Sequence, residues 1–379
     1  MEIAIFGAGH YGRLAYEEYK DEVVCFIDND ESKYNTLLFD KPILSPLSIV
    51  GRNIHVVIAS IYIDSMIHQL EELGIKDYSV FTEQIHGIYD YDELVINPYD
   101  ITPEAQSEAD WIDSQKQKYT REAVNVLCDR LIKDVPLFSH VEIETINRCN
   151  GICDFCPVNK NDDTRKKAIM SRELFEKIIS QLEEINYSGR LALFSNNEPF
   201  LDERILELSK YAREHVPNAR IHMFTNGTLL TLEKFLTLIP LLDELIIDNY
   251  RQDQKLIKPC EEIAEYCEKH EELKKKVSIV LRKPHEIRTT RGGNAPNRKS
   301  MPEYSKDKCI LPFKQVIIRP TGEISLCCND ALGKYTLGDL KKESLLDVWY
   351  GPKYKMIRES LSKGRENWGN CKYCDTFYV

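Results

Sequence analysis

Cys149, Cys153 and Cys156 stand in the string RCNGICDFCP, a C-x3-C-x2-C arrangement directly after a segment, Val141 to Thr145, that alternates like a strand. Nothing else in the chain constrains it as tightly. Thiolates are soft ligands suited to zinc and iron–sulfur centres. Gly151 and Pro157 disfavour a regular helix, so the spacing describes a loop able to wrap a metal group. The informative detail is that three ligands lie close together without a fourth. A structural zinc or an electron-transfer cluster ordinarily takes four protein ligands, whereas three leave one iron open to a further molecule.

Composition favours metal over disulfides. The 379 residues include 12 cysteines, and the opening string MEIAIFGAGHYGRLAYEEY lacks the basic region, apolar core and cleavage site of a secretion signal. The expected location is cytoplasmic, where thiols stay reduced. No run reaches about 18 apolar residues, so no membrane span is expected. With 50 Lys and Arg against 61 Asp and Glu, the net charge of −11 argues against a nucleic-acid partner.

The residues on either side of the cysteine loop read as alternating strands and helices. Helices are expected over Ser171 to Asn186, Asp202 to His215, Thr231 to Leu238 and Asp253 to His270, and strands over Arg190 to Phe194, Arg220 to Phe224, Asp243 to Asp248 and Lys276 to Leu281. Repeated αβ units imply a parallel sheet or partial barrel, with functional groups at the C-terminal ends of its strands. Beyond Lys306 a hairpin is expected around Pro320, Thr321 and Gly322, then one helix from Ser344 to Leu361. At the other end, Glu2 to Phe6, a turn with Gly7, Gly9 and Gly12, a helix, and Val23 to Ile27 ending at Asp28 follow the order of a dinucleotide-binding βαβ unit. Between Gly87 and Pro136 strand-like alternation gives way to a polar helical connector.

The C-x3-C-x2-C loop with an aromatic residue, Phe155, before its last cysteine, placed after the first strand of an α/β barrel, resembles the signature of the radical S-adenosylmethionine enzymes. Two later segments agree: Ser195-Asn196-Asn197-Glu198-Pro199 resembles the family's Gly-Gly-Glu-Pro segment, with asparagines replacing both glycines, and Phe224-Thr225-Asn226-Gly227 resembles the turn after the third strand. The resemblance implies that Cys149, Cys153 and Cys156 hold a 4Fe–4S cluster and that Phe155, Asn197, Glu198 and Asn226 help seat S-adenosylmethionine. Its reductive cleavage then yields a 5′-deoxyadenosyl radical that removes a substrate hydrogen. The string from Cys309 through Cys327 to the terminal Cys371-Lys372-Tyr373-Cys374 resembles the SPASM domain, which implies a second 4Fe–4S cluster held by Cys309, Cys327, Cys371 and Cys374. Zinc is the alternative occupant, and Cys328 the alternative to Cys327, although the Gly322-x4-Cys327 spacing favours the latter. Cys25, Cys128, Cys260 and Cys267 are expected to pack as apolar residues.

The expected fold class is therefore α/β: a Rossmann-like half-sheet over 1–87, a helical connector over 88–138, a partial TIM-like radical S-adenosylmethionine barrel over 139–305 and a small cysteine-rich SPASM domain over 306–379. The N-terminal text resembles small domains beside sugar-modifying enzymes, some of which bind nucleotide sugars; Gly7, Gly9, Gly12 and Asp28 would hold the nucleotide, and a docking role without ligand is the alternative. Arg282 to Lys299 is a basic stretch in an acidic chain, and Arg291 before Gly292-Gly293 is a candidate clamp for an anion at the barrel rim. Asp248 is the candidate catalytic base. The expected activity is oxidation or other modification of a small molecule, such as a nucleotide sugar of polysaccharide biosynthesis. The expected electron source is an external one-electron donor such as flavodoxin or ferredoxin. A peptide-modifying maturase and a non-catalytic iron–sulfur carrier are the rival readings.

Overall fold

A computed structural model describes residues 2–60, 63–81, 87–90, 124–160, 163–298 and 305–376. The chain divides into two compact units, 1–85 with 115–126, and 86–114 with 127–379. In the first, strands β1 (Ile3–Phe6), β2 (Val23–Ile27), β3 (Leu37–Leu38), β4 (Lys41–Leu44), β5 (His55–Ile58) and β6 (Tyr78–Val80) form one sheet in the order β3-β4-β2-β1-β5-β6. All neighbours are parallel except β3, so the parallel strands follow the 3-2-1-4-5 order of the doubly wound nucleotide-binding arrangement. Burial of nearly every residue in β1 and β2 explains their continuous apolar runs, because both faces of this sheet are covered. The helix His10–Tyr19, α1, can approach β1 only because Gly12 lacks a side chain: a Cβ there would lie 1.9 Å from the Gly7 carbonyl oxygen. Helix α2 spans Ile63–Glu72.

The second unit is built on a nine-stranded sheet. Strands β7 (Gly87–Asp90), β8 (His140–Ile143), β9 (Arg190–Ala192), β10 (Arg220–Thr225), β11 (Glu244–Tyr250), β12 (Val277–Arg282), β13 (Gln315–Ile318), β14 (Glu323–Ser325) and β15 (Thr336–Asp339) run in the order β15-β14-β13-β8-β9-β10-β11-β12-β7. From β13 to β7 every pairing is parallel. Between the strands lie α3 (Arg172–Glu184), α4 (Ile205–His215), α5 (Leu232–Leu238) and α6 (Lys258–Glu268), with Ser171 and Thr231 capping α3 and α5 through their hydroxyls. Strand alternation divides the sheet into two faces. Val141, Ile143, Leu191, Ile221, Met223, Leu245, Ile247 and Ile279 belong to the apolar core shared with the helices. On the other face lie His140, Glu142, Glu144, His222, Asp248, Ser278, Arg282 and Gln315, all polar and, apart from the half-buried His140, buried.

Four expectations change. The hairpin of β13 and β14 does not stand apart, because β13 pairs in parallel with β8 and extends the barrel sheet. A strand, β7, falls within the stretch read as connector and pairs with β12; most of the connector helix expected there lies outside the described residues, which show helix over 124–131. The helix expected from Ser344 to Leu361 is two, α7 (Leu345–Trp349) and α8 (Pro352–Leu361), separated where Gly351 caps a new helix that opens on Pro352. Helix α6 likewise starts only at Lys258, with Pro259 in its first turn.

Trp349 joins these last helices to the start of β8. Its indole is fully buried, donates to the Pro136 carbonyl at 2.9 Å, meets Phe138 edge-on at 5.4 Å and lies under the Arg358 guanidinium at 4.1 Å. Trp349→Ala should cost about 3–5 kcal/mol. Trp349→Phe should cost less, about 1–3 kcal/mol for the carbonyl left unpaired. Thermal melts of the metal-free protein check both, and equal melting temperatures for wild type and Trp349→Phe would show that the hydrogen bond contributes nothing.

Candidate active site

The cysteine loop leaves the C-terminal end of β8 and is held from several sides. Arg148 donates to the carbonyls of Asn147 and Arg165 at 2.7 Å each, Asn147 receives the Ala168 amide, and Asn159 donates to the Cys149 carbonyl. The Gly151 amide donates to the Cys149 sulfur at 3.2 Å. A Cβ on Gly151 would lie 3.2 Å from Cys149 Sγ and 3.8 Å from Cys153 Sγ, so the loop folds its thiols around a position that only glycine leaves open. Cys149, Cys153 and Cys156 are all free and within electrostatic reach of one another. Burial raises the Cys149 thiol to about 11 and Cys153 to about 12. Thiols so reluctant to ionise in a bare pocket ligate once a cationic metal group supplies the opposing charge. The donor set therefore fits an iron–sulfur cluster.

Glu198 fixes the neighbouring loops. Its carboxylate is buried and accepts from the Thr225 hydroxyl at 2.7 Å, the Asn226 amide at 2.8 Å and the Phe200 amide at 3.1 Å, while its own amide donates to the Arg148 carbonyl at 2.9 Å. Burial raises its pKa. Asn226 in turn donates to Asn150 at 2.7 Å and points its amide at the Cys149 sulfur, 3.9 Å away. Gly227 completes the turn at φ 74°, where a Cβ would lie 2.7 Å from both Cys260 Sγ and Ile247 Cγ2. The asparagines that replace the family glycines have no positive φ. Their side chains are used instead: Asn197 accepts from the Ser195 amide at 2.8 Å, and Asn196 donates to the Cys328 carbonyl at 3.0 Å and accepts from Arg291. Phe155 is buried 5.9 Å from the Tyr250 ring and 5.2 Å from the Arg288 guanidinium.

Asp248 does not sit as a free base. Arg282 donates to it at 2.5 Å and the Tyr250 hydroxyl lies 3.4 Å from its other oxygen, so the carboxylate neutralises a buried guanidinium. The basic stretch is similarly committed. Arg282 also reaches Glu286 at 3.2 Å, Arg298 donates to Asp375 at 2.9 Å, and Arg291, at φ 47°, turns inward to Asn196; Lys299 lies outside the described residues. These cations hold the loop to the fold rather than offering a rim to an anion.

Cys309, Cys327, Cys371 and Cys374 form the second set, with Cys327 within electrostatic reach of the other three. Cys328 is within electrostatic reach of Cys327 and Cys374 as well as of Glu142 and Arg291. Sequence reasoning missed the residue that organises this set. Arg365 is buried and donates to the carbonyls of Lys308 at 3.2 Å, Cys374 at 2.7 Å and Thr376 at 2.7 Å, so one guanidinium ties the chain beside Cys309 to the terminal pair. It also missed Glu142, whose pKa burial raises to about 7, and Glu144, raised to about 8.

Residues 143–250 match the sequence profile of the Radical SAM superfamily, and 309–375 that of SPASM, an iron–sulfur cluster-binding domain. The chain carries a radical S-adenosylmethionine enzyme domain followed by a SPASM domain. Its two domains imply S-adenosylmethionine and iron–sulfur clusters as cofactors. It is 26% identical over 249 residues to the S-adenosyl-L-methionine-dependent 2-deoxy-scyllo-inosamine dehydrogenase of Niallia circulans, a match covering 64% of this chain and 95% of that protein. The crystal structure of BtrN in complex with AdoMet and 2-DOIA aligns with a TM-score of 0.55 at 24% identity, over 64% of this chain and 94% of that one, and so shares its fold. No helix among the described residues is long and apolar enough to cross a membrane.

In the first unit, Asp28 accepts from the Ala8 amide at 2.8 Å, the Asp30 amide at 2.9 Å and Lys33 at 3.0 Å, donors that hold its pKa low against the opposing effect of burial. Gly7 and Gly12 are required by packing, whereas a Cβ on Gly9 would meet nothing within 4 Å.

Glu198→Gln replaces one acceptor oxygen by an amide that faces an N–H or O–H donor. The variant should lose about 1–3 kcal/mol of stability and bind S-adenosylmethionine more weakly. Melts of the metal-free protein and cofactor-induced thermal shifts of the reconstituted one read the two effects separately; an unchanged shift would remove Glu198 from the cofactor site.

Proposed function

We infer that this enzyme oxidises a hydroxyl-bearing ring carbon of a sugar or cyclitol to a carbonyl, using two 4Fe–4S clusters. Cys149, Cys153 and Cys156 hold the cluster that binds S-adenosylmethionine, with Phe155, Asn197, Glu198 and Asn226 shaping that cofactor's seat. Cys309, Cys327, Cys371 and Cys374 close the second cluster, which leaves it suited to electron transfer rather than to binding substrate. Bound S-adenosylmethionine, reduced by one electron, supplies the 5′-deoxyadenosyl radical that takes hydrogen from the substrate carbon. The observation that carries the reading is the hydrogen bond from Asn196 to the Cys328 carbonyl, which brings the loop of Glu198 to the residue next to Cys327. A substrate at that junction has a hydrogen-abstracting group on one side and an electron acceptor on the other. The dehydrogenase activity of the 2-deoxy-scyllo-inosamine relative supports the same chemistry, and a flavodoxin or ferredoxin in the cytoplasm is the fitting reductant.

Anaerobic reconstitution should give about eight irons per chain and 5′-deoxyadenosine on reduction. Replacing Cys149, Cys153 and Cys156 with Ala should remove about half the iron and all cofactor cleavage. Replacing Cys371 and Cys374 should remove the other half while leaving cleavage measurable. Bound zinc without 5′-deoxyadenosine would sink the reading.

The finer form of this reading is a nucleotide-sugar substrate of polysaccharide biosynthesis, held by the first unit at the start of α1, where Gly9 leaves open space. UDP-glucose should raise the melting temperature of the full chain, and Gly9→Val should abolish that shift. A shift of equal size in both proteins would place the nucleotide elsewhere.

A further inference from the structure

We propose that Ser195 and Glu142 form a proton relay, with the Ser195 hydroxyl taking the proton of the substrate hydroxyl as its own passes to the Glu142 carboxylate. The inference rests on the oxidation inferred above and names the base that oxidation needs. Loss of a hydrogen atom from a carbinol carbon leaves a carbon-centred radical that still bears its hydroxyl group. Completing the oxidation breaks that O–H bond and removes one electron, so that the carbon–oxygen single bond becomes a carbonyl. The proton goes through Ser195 Oγ to Glu142, and the electron goes to an oxidised iron–sulfur cluster. With Asp248 committed to Arg282, some other group must accept that proton.

Glu142 is the carboxylate so placed. It lies on the polar face of β8, buried, and both oxygens accept from neutral donors: Oε2 from the Ser195 hydroxyl at 2.6 Å and Oε1 from Gln315 Nε2 at 2.7 Å. Among the described residues no cation is within salt-bridge distance except the His140 ring, 3.7 Å away, which burial and Arg190 hold neutral with a pKa lowered to about 4. Arg190, Arg291, Glu144 and Cys328 act on Glu142 from further off. A carboxylate held this way, with its pKa raised to about 7 by burial, exchanges a proton near neutrality, as a general base should.

Ser195 connects it to the barrel mouth. It follows β9, half-buried, in the loop that continues to Glu198, and the C-terminal ends of barrel strands are where substrates meet catalytic groups. The hydrogen bonds then close into a ring: the Cys328 amide donates to Gln315 at 3.2 Å, Gln315 and Ser195 donate to Glu142, and Asn196 donates to Ser195 at 3.3 Å and to the Cys328 carbonyl at 3.0 Å. The proton acceptor is thereby fixed to the segment that carries Cys327, so proton and electron leave the substrate toward the same side.

The test uses the full reconstituted enzyme with 2-deoxy-scyllo-inosamine as probe, measuring carbonyl product per 5′-deoxyadenosine for wild type, Glu142→Gln, Glu142→Asp and Ser195→Ala. In wild type this ratio should rise as pH increases through about 7, since only the ionised carboxylate accepts a proton. Glu142→Gln should lower it about 10²-fold and flatten the profile, with partial rescue by Glu142→Asp and an intermediate loss in Ser195→Ala. Infrared titration of the metal-free protein gives a second readout: a buried carboxyl band changing near pH 7 in wild type and absent from Glu142→Gln. An unchanged ratio in Glu142→Gln, or a wild-type spectrum without that titration, overturns the relay. Wild type that forms 5′-deoxyadenosine but no carbonyl from the probe overturns the oxidation reading instead, and the relay's role with it.

Discussion

The geometry of the active site depends on one buried carboxylate. Glu198 binds the ends of two strands and the cysteine loop at once, through Thr225 at the end of β10 and Asn226 after it, Phe200 in its own turn, and the Arg148 carbonyl before Cys149. Each of those polar groups would be costly to leave unpaired away from water. A carboxylate offers about four acceptor sites and so satisfies all three donors, where an amide oxygen or a hydroxyl offers about two. That explains how the loop accommodates Asn196 and Asn197 in the segment that resembles Gly-Gly-Glu-Pro. Backbone conformation there is set by what Glu198 and Asn197 accept, not by freedom at φ, and the added side chain of Asn196 reaches Arg291 and Cys328.

The second constraint is the two-faced sheet. Its outer face buries an unbroken apolar core against the helices, and this is where the unit gains its stability. The inner face carries Glu142, Glu144, His222, Asp248 and Arg282 into the same buried layer. Ion pairing compensates Asp248 and Arg282, but Glu142 has only neutral hydrogen bonds, and for Glu144 the nearest cation, Arg165, is 3.6 Å away. Both glutamates are consequently pushed toward their neutral forms. Such groups weaken a fold as pH rises, since the folded protein must then hold charges that the unfolded chain hydrates freely. Both lie on the polar face of the sheet, and buried carboxylates shifted in this way are candidates for chemistry.

The sequence made the cysteine sets legible because ligand spacing is local: the loop after β8 and the terminal pair are each within a few residues, and the opening βαβ unit of the first unit is local too, whereas the order of its full six-stranded sheet is not. What lay beyond reach depended on distant pairings. Glu142 reads in the sequence as one polar position of an alternating strand, and only the contact with Ser195 and Gln315 marks it out. Arg365 sits in a polar stretch, and nothing there signals that its guanidinium gathers three carbonyls. The basic segment after β12 misled for the same reason, since Asp248, Glu286 and Asp375, which neutralise it, are scattered along the chain from β11 to the C-terminal tail. The glycine pattern of the first unit was legible as a fold signal but less so as a ligand site, because two of its three glycines answer to packing.

Arg365 also sets the electrostatics of the second thiol set. A guanidinium buried beside Cys309 and Cys374 places a fixed positive charge where four thiolates would gather. Such a charge stabilises the more negative, reduced form of a bound cluster and raises its potential, and weak solvation at a buried site strengthens the effect. The first thiol set also has a guanidinium nearby, since Arg165 acts on Cys156, and its loop is braced by Arg148 and Asn159 and by the Gly151 amide. Arg165 is paired with Asp163 at 2.9 Å and lies 3.6 Å from Glu144, so two carboxylates offset its charge, whereas Arg365 donates to three backbone carbonyls.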